Sequence, residues 1–376
     1  MSKPRSSRPR PSQPRPASPP FTLVLSGGGM KGLAHVGVLQ ALEEHGLVPS
    51  LVVGSSIGSL IAAGWASGMP LDEMAARARR VRRRDVFQVA HVDMALRRLG
   101  APAIYRREPL EALIAALVGE RTFDDLVHPL LVNTVDIDSG MQVMWGLPGL
   151  RDVRVADAVF ASCALPGIFP PRAIRGRHYV DGAVIENLPV RVAATAGPGP
   201  VLAVNLSATT TVREGTERQG FAAIYTRGLE LVMQVQTEAG LRGWQGPPLV
   251  LVEPRVEDVS MFAFDRTPEL LAEGRRATLE ALAQVGGALQ EMELGMHPRR
   301  RVRVSVDAER CIGCGLCLLR APDTFQRTPD GKVRVTAAEQ TWSPLDGALV
   351  RDCPTRAIVA TDLLDPAGTA EASTAA

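Results

Sequence analysis

The amino-acid sequence predicts a three-layer α/β domain with a mostly parallel sheet, followed by a smaller C-terminal domain of α+β type. Three observations predict it. From Phe21 onward, short apolar runs of strand length alternate with stretches of helical periodicity. The first two strand-like runs each lead straight into a glycine-containing turn and a helix. At His297 the alternation stops, and cysteines and short β-like runs take over.

The 376 residues suit two or three domains at roughly 150 residues each. A composition 45% hydrophobic and 22% charged excludes a wholly disordered, collagen-like or small disulfide-stapled chain. The net charge of +2 speaks against a nucleic-acid partner. Among the basic residues only Lys3, Lys31 and Lys332 are lysine, so a single arginine carries little information.

Taken in order, residues 1–20 are mostly Pro, Arg and Ser and read as a disordered basic arm, with no apolar core for a secretory signal. Residues 21–25 read as a buried strand running into Ser26-Gly27-Gly28-Gly29, and residues 33–44 as a helix. Leu51-Val52-Val53 form a second strand that enters Gly54-Ser55-Ser56-Ile57-Gly58 and a helix of small residues. Further strands are expected at 130–136, 141–145, 201–206 and 249–252, separated by helical stretches that include 267–292. The expected domains are 21–295 and 304–365, joined by a linker at 296–303 and followed by a frayed tail at 366–376. The longest apolar run, 57–69, is broken by three glycines and falls short of the roughly 18 to 20 residues that span a membrane. A soluble, cytoplasmic chain is expected.

Gly54-Ser55-Ser56-Ile57-Gly58 fits G-x-S-x-G between a strand and a helix, where a strained turn exposes a nucleophilic hydroxyl and only small neighbours let the backbone pack. Ser56 is the candidate nucleophile. The loop Gly27-Gly28-Gly29-Met30-Lys31-Gly32 also fits a dinucleotide fingerprint, but the acidic residue needed at the end of the second strand is missing. No nucleotide cofactor is expected. The loop instead offers backbone N–H groups at a helix start, able to hold an acyl oxyanion.

No histidine presents itself as the base. Only His297, at the domain junction, follows Asp181, which makes a Ser-His-Asp chain order improbable. His35, His45, His91 and His128 read as surface or packing residues, and His178 stays in reserve. Asp181, in Tyr179-Val180-Asp181-Gly182-Ala183, either takes the serine proton directly or is an ordinary turn residue.

Four blocks, in order, resemble the signature blocks of the patatin-like phospholipases: Ser26 to Gly32; Gly54 to Gly58; Ala161-Ser162-Cys163-Ala164-Leu165-Pro166-Gly167-Ile168-Phe169-Pro170; and Asp181-Gly182-Ala183 through Asn187-Leu188-Pro189. The resemblance covers about residues 21–295. It implies a lipid acyl hydrolase with a Ser-Asp dyad: Ser56 as nucleophile, Asp181 as general base, and the backbone of Gly27, Gly28 and Gly29 as oxyanion hole. Lys31, Gly32, Gly54, Gly58, Gly182 and Ala183 are motif-supporting, and Ala183 stands where glycine is also common. Cys163 reads as a packed small residue.

Cys311-Ile312-Gly313-Cys314-Gly315-Leu316-Cys317, followed later by Cys353-Pro354, crowds three thiolates and closes with a fourth, a pattern suited to an iron-sulfur cube. Zinc is the alternative, although zinc sites more often pair two separate C-x-x-C knuckles. Ala321-Pro322 stands where a second cluster would draw its ligand, so one 4Fe-4S cluster is expected on Cys311, Cys314, Cys317 and Cys353. Residues 304–365 resemble single-cluster bacterial ferredoxins, down to Asp307 and Ala357-Ile358, which implies electron transfer or regulation by the cluster and a possible electron-transfer partner.

Leu71, Met74, Ala75, Ala78 and Val81 share one helical stripe, with Arg77, Arg79, Arg80, Arg82, Arg83 and Arg84 on the rest. This is either a peripheral contact for anionic lipid at the inner membrane face or a solvated helix. The competing function from another class is a redox-binding protein whose hydrolase fold serves only for docking.

Overall fold

The computed structural model describes residues 19–90, 103–207, 220–286, 289 and 291–363. Most of the N-terminal arm, His91 and the C-terminal tail lie outside the described residues. Along the chain come β1 (Thr22–Leu25), a 3-10 turn (Gly29–Leu33), α1 (Ala34–Glu44), β2 (Leu51–Ser55), α2 (Ile57–Ala66), α3 (Leu71–Arg80) and α4 (Glu108–Val118). They are followed by β3 (Leu130–Asp136), β4 (Met141–Trp145), α5 (Val155–Cys163), β5 (Arg172–Ile174), β6 (Arg177–Asp181) and α6 (Val190–Ala196). The body closes with β7 (Val201–Val204), α7 (Phe221–Leu241), β8 (Leu249–Val252), α8 (Thr267–Gln284) and β9 (Met296–His297).

These strands form one sheet in the order β5-β6-β3-β2-β1-β7-β8-β9, with β4 also on β3. Pairing is parallel from β3 through β9 and antiparallel at β4, β5 and β6. Helices cover both faces because the central strands are apolar on both sides. Leu23, Leu25, Val52, Leu202, Val204, Val250 and Val252 enter one core. Their alternating neighbours Val24, Leu51, Val53, Val201, Ala203, Leu249 and Leu251 enter the other. Period two along each strand thus makes the three layers.

Register decides what meets at the sheet's C-terminal edge. Leu25 pairs with both Gly54 and Val204, and Val204 pairs with Val252. The segments starting at Ser26, Ser55, Asn205 and Glu253 therefore leave the sheet side by side, where open α/β sheets place their ligands. Antiparallel β6 brings Asp181 opposite Thr134 at the same edge.

The second domain holds β10 (Arg300–Val306), α9 (Leu316–Arg320), β11 (Phe325–Arg327), β12 (Val333–Val335), β13 (Glu339–Trp342), α10 (Ala348–Asp352) and β14 (Ile358–Asp362). Its sheet runs β13-β10-β14, beside a β11-β12 pair. The junction expected as a linker at 296–303 is largely strand: β9 pairs with β8 in the body and β10 opens the second sheet, leaving Pro298 and Arg299 between them. The helix expected over 267–292 ends at Gln284. The arginine-rich helix ends at Arg80, and Arg83–Asp85 form a separate 3-10 turn.

Candidate active site and cysteine centre

Ser56 stands between β2 and α2 with φ 53° and ψ −129°, a conformation that costs a non-glycine residue energy and marks a strained turn. The turn closes only because the residues two positions away on either side, Gly54 and Gly58, lack side chains. A Cβ on Gly54 would lie 2.4 Å from the Ser59 Cα, and one on Gly58 would lie 2.2 Å from the Leu25 carbonyl oxygen. The strain is held by hydrogen bonds. The Ser56 N–H donates to Ser162 Oγ at 2.9 Å, and that hydroxyl donates to the Asn133 carbonyl at 2.6 Å. Ser59 Oγ donates to the Ser56 carbonyl at 2.6 Å.

The side chain of Ser56 hydrogen-bonds Asp181, which is 2% exposed and also accepts the Ala183 N–H at 2.9 Å. Burial raises the Asp181 carboxyl to about 7, against the lowering effect of those two hydrogen bonds. Beside it, burial and the Asp181 charge push the Cys163 thiol far above its usual value. That favours a packed, protonated cysteine.

The glycine loop meets this pair from β1. The Gly27 N–H donates to Asn187 Oδ1 at 3.0 Å, so it is already engaged and differs from its expected role as an oxyanion donor. A Cβ on Gly27 would sit 2.6 Å from that oxygen and 2.9 Å from the Ser56 Cβ. Gly28 and Gly29 keep N–H groups with no hydrogen-bond partner among the described residues. Lys31 is buried in an ion pair with Glu230 at 3.6 Å, and Gly32 lies against Ile57 where a side chain would clash. Gly182 packs against Asn133 in the same way.

The described histidines are engaged elsewhere. His35 Nε2 donates to the Ser26 carbonyl at 2.8 Å, and burial lowers its pKa to about 4, so it is a neutral prop beneath the glycine loop. His45 and His297 bond backbone carbonyls, His128 stacks on Trp65, and half-exposed His178 faces Asp138 at 3.6 Å.

Ser56 opens on a cavity of about 740 Å³, within the range of ligand pockets. Its walls are mainly apolar, among them Ile57, Leu60, Leu113, Leu117, Phe87 and Phe169, while Arg77, Arg80 and Arg84 also line it. Phe87 gathers Tyr105, Phe169, Phe262 and Phe264 around itself at 4.9 to 5.8 Å between ring centroids.

In the second domain Cys311, Cys314, Cys317 and Cys353 line one cavity together with apolar Val306, Ile312, Val333, Leu349 and Ile358. All four are free thiols. Four thiols around a shared apolar cavity are the donor set that an iron-sulfur cluster takes. The Ala357 N–H donates to Cys353 Sγ at 3.3 Å, and Thr355 Oγ1 lies 3.7 Å from it. Burial raises the Cys353 thiol, but the hydrogen bonds from Thr355 and the backbone outweigh it and leave the pKa below its usual value. The Asp307 N–H donates to the Ala357 carbonyl at 2.7 Å, joining the two ends of the ferredoxin-like segment.

Comparison with known proteins agrees with both halves. The family described as patatin-like phospholipase matches residues 23–194. The likeness is at the level of a domain, over residues 23–194. The family described as the 4Fe-4S single cluster domain of ferredoxin I matches residues 306–360. An uncharacterized NTE family protein of Mycobacterium tuberculosis is 31% identical over 189 residues, 50% of this chain and 49% of that protein. The lysophospholipase NTE1 of Scheffersomyces stipitis is 30% identical over 211 residues, 54% of this chain and 13% of that protein. In the crystal structure of VipD from Legionella pneumophila, 16% identical, the likeness covers 71% of this chain and 67% of that one at a TM-score of 0.40. The chain spans about half the length of the mycobacterial relative and less of the other.

The patatin-like domain also uses residues that sequence reasoning passed over. Asn133 donates to the Glu186 carbonyl at 2.8 Å and accepts from Gln142 at 3.0 Å, tying β3 to the turn after Asp181. Its signal was an amide within a buried strand, next to Thr134 and close to Asp136, since an interior amide needs partners. Ser162 and Asn187 lay inside the quoted blocks, but their hydrogen bonds to Ser56 and Gly27 depend on tertiary placement.

Proposed function

We propose that the chain is a serine lipid acyl hydrolase acting through Ser56 and Asp181, fused to a domain that carries one 4Fe-4S cluster on Cys311, Cys314, Cys317 and Cys353. The observation that carries the hydrolase reading is the hydrogen-bonded Ser56–Asp181 pair on a strained turn facing an apolar cavity. Asp181 takes the Ser56 proton as Oγ attacks the ester carbonyl, and the free N–H groups of Gly28 and Gly29 receive the oxyanion. Collapse expels the alcohol, which leaves with the proton from Asp181. Water then attacks the acyl-serine with Asp181 again as base, regenerating the hydroxyl and releasing the fatty acid. A carboxyl titrating near 7 is a stronger base than an ordinary aspartate and still ionises near neutrality.

The apolar walls suit an acyl chain, and Arg77, Arg80 and Arg84 suit an anionic headgroup or lipid surface. The cluster, when bound, supplies one-electron chemistry or a covalent cross-link. The chain's own part is to wall it with apolar side chains and donate hydrogen bonds to Cys353. The body is best drawn as ending at His297 and the cluster domain as starting at Arg300.

The test is ester turnover. Ser56→Ala and Asp181→Asn each abolish hydrolysis with the fold intact, while His178→Ala retains it. In the active protein kcat/KM rises with pH through about 7 as Asp181 ionises. Normal turnover by Ser56→Ala would overturn the mechanism.

A further inference from the structure

A chain of hydrogen bonds runs along the C-terminal edge of the sheet, from the acyl site to Glu253 in the cleft that faces the cluster domain. It begins where the Gly27 N–H donates to Asn187 Oδ1. Asn187 Nδ2 donates to Ser207 Oγ at 2.6 Å, the Ser207 N–H donates to Asn205 Oδ1 at 3.1 Å, and Asn205 Nδ2 donates to Glu253 Oε1 at 3.1 Å. Asn187 and Asn205 are buried, so each amide is held in one orientation by what it bonds. Glu253 lies in the cleft between the domains, lined also by Pro298, Arg300 and Pro344. Burial raises the Glu253 carboxyl and the nearby Glu238 charge adds to that, while the Asn205 hydrogen bond and the charges of Arg351 and Arg300 from the cluster domain work against it. Arg351 belongs to α10 and stands two residues before Cys353.

The same arginine also touches the helix that leads to the other side of the acyl site. Its Nη2 donates to Glu238 of α7 at 2.5 Å. On that helix Gln236 donates to the Val184 carbonyl at 3.0 Å, and Met233 packs with Ala183, the residue whose N–H binds Asp181. One cluster-domain residue thus holds the helix that packs on the base turn, close to the cleft where the relay from the glycine loop ends.

We propose that Glu253 and Arg351 are positioning residues for the acyl site: the cluster domain seats Arg351 on Glu238 and closes Arg300 over the cleft that holds Glu253, and that seat fixes the Gly27 loop through Asn205, Ser207 and Asn187. The proposal rests on the hydrolase reading for its catalytic consequence, while the mechanical link itself does not. Losing the cluster loosens α10, withdraws Arg351 and relaxes the glycine loop. The acyl-site defect then follows from misplacement and not from a lost catalytic group.

The test uses the full chain, purified anaerobically with its visible cluster spectrum as the check on loading. Arg351→Gln, Arg351→Lys, Glu253→Ala and Asn205→Ala are compared by amide hydrogen exchange over the Gly27–Gly29 segment, by the rate of Ser56 labelling with a fluorophosphonate, and by kcat and KM on a short-chain ester. Arg351→Gln and Glu253→Ala are expected to raise exchange about tenfold and lower kcat about ten- to a hundredfold, with KM and the cluster spectrum unchanged. Arg351→Lys should recover part of both effects. Asn205→Ala breaks the relay inside the body without touching the cleft charges and should give the same signature. Wild-type exchange in Arg351→Gln and Asn205→Ala would overturn the proposal. If the wild-type chain neither turns over ester nor labels, the hydrolase reading fails, and the exchange data still decide the link.

Discussion

Burying Asp181 comes at a cost to the fold. Its folded pKa of about 7 lies above the ordinary 3.8, so the folded chain holds a proton that the unfolded chain gives up between those values. Stability therefore falls as pH rises from about 4 to about 7, by on the order of 4 kcal/mol at about 1.4 kcal/mol per pKa unit. Asp181→Asn removes that penalty. In thermal melts the variant should match the wild type near pH 4 and exceed it at pH 8; equal melting temperatures at both would show that the carboxylate is not desolvated. The strained turn at Ser56 was legible in the sequence because such a turn demands glycine or small residues at fixed offsets, and the ordered blocks pointed to Asp181, which the fold brings beside it. Gly27 was legible as a necessary glycine but not as an engaged N–H. Its partner Asn187 lies 160 positions away, and no local pattern encodes that bond.

Strands were easier to foresee than helix ends. Leu130–Asp136, Met141–Trp145 and Leu249–Val252 fall where apolar runs between turns placed them. The predicted inward stripe of α3 is also present, with Leu71, Met74, Ala75 and Ala78 buried. Periodicity alone did not show that the helix stops at Arg80, where Val81 turns to ψ 132° and the remaining arginines enter a 3-10 turn. Nor did it show that Arg77, Arg80 and Arg84 line the same cavity as Ser56. A surface on which α3 receives anionic lipid should lose vesicle binding when Arg79, Arg80, Arg83 and Arg84 are changed to Glu, and wild-type binding should weaken as salt rises. Co-sedimentation with vesicles containing phosphatidylglycerol measures both. Unchanged sedimentation would leave these arginines as solvated side chains.

At the scale of the whole molecule, the cluster domain has a small core: Val302, Val304, Phe325, Val333, Trp342, Leu349 and Ile358. So few buried side chains leave little surplus over conformational entropy, which is why small domains rely on metals or disulfides. Cys314→Ala should bleach the cluster spectrum and open residues 307–357 to protease while the patatin-like domain stays resistant; equal resistance of both would show that the apolar core suffices. The body depends on its neighbour in a different way. Met296 and His297 pair with Leu249 and Val250, so the last strand of the body's sheet is also the approach to the next domain. Without it, β8 would present unpaired N–H and C=O groups along an apolar strand, a template for another chain. A chain ending at residue 295 should therefore self-associate, eluting on gel filtration as dimers or larger species, and a chain ending at residue 299 should elute as the smaller body. The two residues of β9 act as a guard against aggregation, and domain boundaries drawn on homology alone would cut it away.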